Sequence, residues 1–129
     1  MNYFPPSEVE RTGANFLDVD PYSYGLLNCM RERLGIPMFL IHNGITTGKH
    51  RARQHAQGKA FDFHLNGKGT PDRVVYAALH AGFRGIGVYW NGRAHSYHVD
   101  TRENYTFWKA ERVGPDWVYK PVYRAGGGL

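Results

Sequence analysis

The sequence predicts one α+β domain, a small antiparallel sheet with two main helices. Three observations predict it. Residues 59–65 alternate, with Phe61, Phe63 and Leu65 on one side and Ala60, Asp62 and His64 on the other. That is the pattern of a strand with one packed face and one face left for chemistry. Asn91-Gly92 separates two strand-like runs, 85–90 and 95–101, and is a strong hairpin signal. Two further stretches carry paired helix start and stop signals, Asp20-Pro21 with Gly35 and Thr70-Pro71-Asp72 with Gly82.

In chain order, residues 1–20 are polar and turn-rich, with Pro5-Pro6 and Gly13, and read as an extended arm laid on the domain. The domain itself is expected over 21–124. Its first helix starts at Pro21, carries Leu27, Met30 and Leu34 on one face, and stops at Gly35 before Pro37. The apolar run 38–41 reads as a short buried strand, 42–48 as loop and 66–70 as turn. Thr70 caps the second helix, Pro71 opens it and Asp72 sits near its positive end. Val74, Val75, Ala78 and Leu79 form its apolar stripe. In the second hairpin strand Ser96, His98 and Asp100 point one way, Tyr97 and Val99 the other. The Trp- and Tyr-rich remainder is expected to wrap back over the sheet, and 125–129 to form a flexible tail.

Length and composition narrow the classes. A chain of 129 residues with 42% hydrophobic content has enough apolar side chains for one core and no second domain. The net charge of +5 favours an anionic partner without choosing among anions. Cys29 is the only cysteine, which excludes an internal disulfide framework and a cysteine-rich zinc cluster. Any metal must then be held by nitrogen and oxygen. The N-terminal residues show neither a basic nor an apolar signal region, so synthesis in the cytoplasm without a signal peptide is expected. No run of about 18 apolar residues would span a bilayer, and no membrane partner is expected.

The chemistry gathers around residues 53–62. His55 precedes Asp62 across Gly58, which would let the chain turn tightly enough to bring both to one point. The neighbouring hairpin strand can present His98 to the same point. Two histidines and an aspartate from two segments form a zinc ligand set that leaves one position open. Spacing alone equally fits scattered histidines, of which the chain has seven. His50 and His80 are read as binding nothing, and His64, on the face of Asp62, as a group just outside the ligands. The basic stretch Lys49-His50-Arg51-Ala52-Arg53 raises a nuclease reading, but no nuclease motif accompanies it and nucleic acid is not the expected partner.

Three segments, in order, resemble the M15 family of zinc D-Ala-D-Ala carboxypeptidases and phage endolysins, especially its small phage and bacterial branch. Gln54-His55-Ala56-Gln57-Gly58-Lys59-Ala60-Phe61-Asp62 is similar to that family's Ser-x-His-x-x-Gly-x-Ala-x-Asp segment. Gly85-Ile86-Gly87-Val88-Tyr89 is similar to its Gly-Ile-Gly-Val-Tyr strand. Tyr97-His98-Val99-Asp100-Thr101-Arg102 is similar to its His-Val-Asp-x-Arg strand. The resemblance covers about residues 22–108. It implies a hedgehog/D-Ala-D-Ala-peptidase-like fold and His55, Asp62 and His98 as ligands of a zinc ion (Zn2+). It also implies hydrolysis of amide bonds in peptidoglycan stem peptides by a monomer, acting on cell wall after release in phage lysis or from a virion.

Two departures shape the remaining site expectations. Where the family's general base stands, three positions before the last histidine, this chain has His95. His95 is therefore one candidate proton carrier, and Asp100, on the face of His98, is the other, or else a partner that orients His98. The family's Ser-Gly-Tyr-Arg segment has no counterpart, since Ile41-His42-Asn43-Gly44 stands there, and Arg53 replaces its usual serine. Arg51 or Arg53 would then bind the substrate carboxylate through a guanidinium fork. The alternative to turnover is a metal-binding module that holds cell wall or serves in a virion without catalysis.

Overall fold

A computed structural model describes residues 2–41, 57–65 and 70–124. The predicted loop at 42–48, most of the turn at 66–70 and the tail at 125–129 lie outside the described residues. Helix α1 (Pro6–Arg11) is followed by a short 3-10 turn (Phe16–Asp18) and by α2 (Pro21–Leu34). Strands β1 (Met38–Leu40) and β2 (Ala60–Leu65) precede helix α3 (Pro71–Ala81). The chain then runs through β3 (Gly85–Trp90), β4 (His95–Asp100), β5 (Thr106–Val113) and β6 (Asp116–Arg124). The six strands form one sheet in the order β1-β2-β4-β3-β5-β6. Every pair is antiparallel except β3 and β5. The predicted α+β class, with a mostly antiparallel sheet in one domain, is what the structure has.

One face of the sheet makes the core. Phe61, Phe63, Tyr97, Val99, Ile86 and Val88 are buried together with Leu27, Met30 and Leu34 of α2 and with Val74 and Ala78 of α3. Alternation puts these sheet residues on the side opposite Asp62, His98 and Gly87, which pair across β2, β4 and β3. Burial of each large apolar side chain contributes on the order of 1.5–3 kcal/mol, so this face holds the fold and leaves the other free.

Three expectations need correction. Residues 2–20 are not an extended arm, because Pro6 opens a helix and Phe4, Val9, Ala14 and Val19 belong to the core. Proline at the first helical position pre-sets φ and gives up an amide that would have no partner there anyway, which favours a start over extended chain. The aromatic C-terminal stretch does not wrap over the sheet. It adds two strands to it, with β5 parallel to β3 and β6 antiparallel to β5, as alternating aromatic and β-branched residues favour. The buried stripe of α3 is Val74, Ala77 and Ala78, rotated by one position, and Leu79 is exposed.

The start of α2 is tied to the site. The Asp20 carboxylate accepts from the Ser23 amide (2.9 Å) and hydroxyl (2.7 Å), and the Ser23 hydroxyl lies 2.6 Å from that of Thr101, just after β4. The Asp20 amide donates to the Gly58 carbonyl (2.9 Å), just before β2. Gly58 has φ +68 and is pressed on the backbone of Asp18 and Val19, so a Cβ would strike the Asp18 carbonyl. One cap thus joins α2 to both strands that carry the site. Burial alone would raise the Asp20 pKa, but the Ser23 hydrogen bonds outweigh it and hold the carboxyl below its ordinary value. A depressed folded-state pKa gives stability that is present above the unfolded carboxylate range and lost as pH falls through the folded value. We expect Asp20→Ala to cost about 1 kcal/mol in urea unfolding at neutral pH. Asp20→Asn should keep the cap and lose less stability on acidification than wild type.

Candidate metal centre

Strands β2 and β4 place Asp62 and His98 as direct cross-strand partners. In an antiparallel pair such residues point to the same face with Cβ atoms about 4.5–5.5 Å apart. Here His98 Nδ1 lies 2.9 Å from Asp62 Oδ1. The other ring nitrogen, Nε2, lies 2.6 Å from Asp100 Oδ2, two residues further along the same face. One imidazole therefore has a carboxylate at each nitrogen.

Asp100 is fully buried and clamped from its far side. Arg102 donates to it three times, from Nε to Oδ1 (2.9 Å), from Nη2 to Oδ2 (2.7 Å) and from its backbone amide to Oδ1 (3.0 Å). The guanidinium lies 4.9 Å over the ring of Trp108, whose indole N–H donates to the Tyr89 hydroxyl (2.9 Å). The Trp108 ring also sits 5.2 Å from the His98 ring. The chain Tyr89–Trp108–Arg102–Asp100–His98–Asp62 thus runs across the face opposite the core.

Two glycines make room for it. A Cβ on Gly85 would run into Asp100 Oδ1 and Arg102 Nε, and one on Gly87 would come within 2.6 Å of the Trp108 ring. Glycine inside a strand marks a close approach of this kind. In the Gly85-Ile86-Gly87 run the alternate positions are emptied on the site's face, while Ile86 fills the core.

The electrostatics follow from these contacts. Burial would lower the His98 pKa, but hydrogen bonds to Asp100 and Asp62 outweigh it and push the imidazole up to about 9. Burial would raise Asp100, but hydrogen bonds from Arg102 and His98 outweigh it and hold the carboxyl well below its usual range. Burial pushes the Tyr89 hydroxyl up to about 12. At neutral pH Asp100 is a carboxylate with its oxygens engaged. Through Nε2 it holds the His98 ring in one orientation, while Arg102 engages both of its oxygens.

His95 does not reach the site. It shares the core-side face of β4 with Tyr97, its ring stacked on Tyr97 (6.2 Å) and against Trp90 (4.6 Å). Strand alternation is the reason, since residues three apart on a strand face opposite ways. Partial burial there lowers its pKa. His64 keeps the face of Asp62 but stacks on Phe39 of β1 (5.5 Å), its cross-strand partner. His55, Arg51 and Arg53 lie outside the described residues.

The donor set suits a divalent ion of zinc type in part. Asp62 and His98 offer one oxygen and one nitrogen on a shared face, with Asp100 fixing the ring from behind. Among the described residues no three His, Cys, Asp or Glu side chains are gathered as a group that could hold a metal ion. Trp108, Tyr89 and Arg102 were missing from the sequence-based site. Gly85 and Gly87 were the available signal, because two glycines at period two on a strand announce a bulky neighbour on that face. No helix among the described residues is long and apolar enough to cross a membrane. Compared with known families, curated proteins and solved structures, the chain matches no family model, no curated protein and no solved structure.

Proposed function

We propose that this chain is a zinc-dependent peptidase that hydrolyses amide bonds in peptidoglycan stem peptides, acting on cell wall after release as in phage lysis. The observation that carries the reading is the cross-strand Asp62–His98 pair, backed by Asp100 on the second ring nitrogen. The three segments that resemble M15 peptidases support the substrate class. In this reading His98 and Asp62 hold the zinc ion together with His55. Zinc, when bound, supplies Lewis acidity toward the scissile carbonyl and toward water. Asp100 keeps the His98 ring in one orientation through Nε2, and Nδ1, which faces Asp62, would give up its proton to take a metal. Arg102 keeps Asp100 ionised, and Trp108 walls the site on the His98 side. The basic balance of the chain suits an anionic wall.

The test is turbidity loss of purified cell wall with zinc-loaded wild type and with His98→Ala. Wild type should clear the wall, and the variant should be slower by orders of magnitude. Equal rates would defeat the reading. A second reading, a metal-holding wall-binding or virion module without turnover, is favoured by the turn of His95 to the opposite face. Zinc-loaded protein that stays on the wall without cleaving it would select that one.

A further inference from the structure

A cleft of about 350 Å³ opens beside the Asp62–His98 pair, lined by Tyr89, Arg102, Thr106, Trp108, Tyr119 and Pro121. Trp108 is the wall that the two share, since its ring lines the cleft and contacts His98. We propose that Arg102 receives the carboxylate of a peptide ligand in this cleft, in place of Arg51 and Arg53. The assignment rests on the peptidase reading and names the group that would hold its substrate.

The argument starts with how Arg102 is held. Its Nε and Nη2 edge is spent on Asp100 and its flat side on Trp108, so the side chain is fixed before any ligand arrives. The Nη1 edge takes no part in that clamp, and the side chain remains one quarter exposed. A guanidinium is always charged and presents its donors in a plane that matches a carboxylate. Fixing it beforehand removes much of the ordering cost of binding.

The rest of the lining points the same way. Among the described residues no acidic side chain lines the cleft itself, and the Asp100 carboxylate lies behind Arg102 on the edge spent in the clamp. Thr106 and Tyr89 add hydroxyls, and the Tyr119, Trp108 and Pro121 surfaces suit small apolar side chains. The volume is near the small end for ligand sites, of roughly 300–1,000 Å³, and suits the last one or two residues of a peptide rather than a long segment. Asp100 bridges Arg102 and His98, so a carboxylate on Arg102 would sit one side chain removed from the His98 ring.

The test titrates the protein in metal-free buffer with acetyl-D-alanyl-D-alanine and with its C-terminal amide, following the indole N–H resonances. The free acid should shift the Trp108 signal and bind roughly 10-fold more tightly than the amide, as expected for hydrogen bonds to a charged group. Arg102→Gln should abolish that preference, while Arg51→Ala and Arg53→Ala keep it. If Arg102→Gln fails to fold, Tyr119→Ala serves, since Tyr119 is exposed and outside the clamp. It should weaken binding of the acid and leave the unfolding midpoint unchanged. Equal affinity for acid and amide, a preference that survives Arg102→Gln, or acid binding that Tyr119→Ala leaves unaltered overturns the assignment. A carboxylate preference without wall hydrolysis after zinc loading would sink the peptidase reading alone. Hydrolysis without that preference would sink the Arg102 assignment alone.

Discussion

Gly85→Ala is expected to destabilise the protein by about 3 kcal/mol. The added Cβ would occupy the space of Asp100 Oδ1 and Arg102 Nε. Asp100 is fully buried, and strand β4, which carries it, pairs with β2 on one side and β3 on the other. Neither the backbone nor the carboxylate can step aside without parting the clamp. Overpacking a close-packed site costs typically 1–3 kcal/mol, and separating a buried ion pair costs roughly 3–5 kcal/mol. The sum is capped because partial rotation of Arg102, whose outer edge is exposed, relieves some of the clash. Urea unfolding should show the midpoint falling with an unchanged slope. A loss under about 0.5 kcal/mol, the range of ordinary surface changes, would mean that the Asp100 clamp contributes little.

The second large effect is on zinc affinity, and it should be graded along the chain of contacts. Replacing Asp100 by asparagine leaves His98 and Asp62 in place but removes the charge behind the ring. Loss of such an outer partner weakens metal binding by roughly 10–100-fold. Asp62→Ala and His98→Ala remove a ligand itself and should each weaken binding by more than Asp100→Asn does. His95→Ala should leave affinity as in wild type, since its ring stacks on Tyr97 across the sheet from Asp62. Competition against a chromogenic chelator measures all four. An Asp100→Asn protein that binds zinc as tightly as wild type would remove Asp100 from the site.

Much of this arrangement was legible before any coordinates. Helix α2 announced itself through Asp20-Pro21, the Leu27, Met30, Leu34 stripe and Gly35, all local signals within one segment. The alternation of β2 and β4 correctly put Asp62, His98 and Asp100 on one face, because period two is a property of each strand alone. The same alternation already set His95 beside Tyr97 and Val99, so its assignment as proton carrier followed the family position against the strand's own geometry. The N-terminal residues misled because Pro5-Pro6 suits both an extended arm and a helix start, and only the burial of Val9 decides between them. Strands β5 and β6 were illegible as sheet because their pairings, including the parallel one with β3, join segments whose register no local pattern records. Trp108 entered the site by that register, opposite Gly87, and the alternating Gly85 and Gly87 were its trace in the sequence, whereas Arg102 reaches Asp100 locally from two residues further on.

One measurement bears on the central claim most directly, anomalous scattering at the zinc edge from crystals grown with zinc. A single strong peak should lie roughly 2.0–2.2 Å from His98 Nδ1 and from an Asp62 carboxylate oxygen, with Asp100 still on Nε2. Zinc-containing crystals in which His98 Nδ1 still bonds Asp62 directly, with no peak near either group, would contradict it.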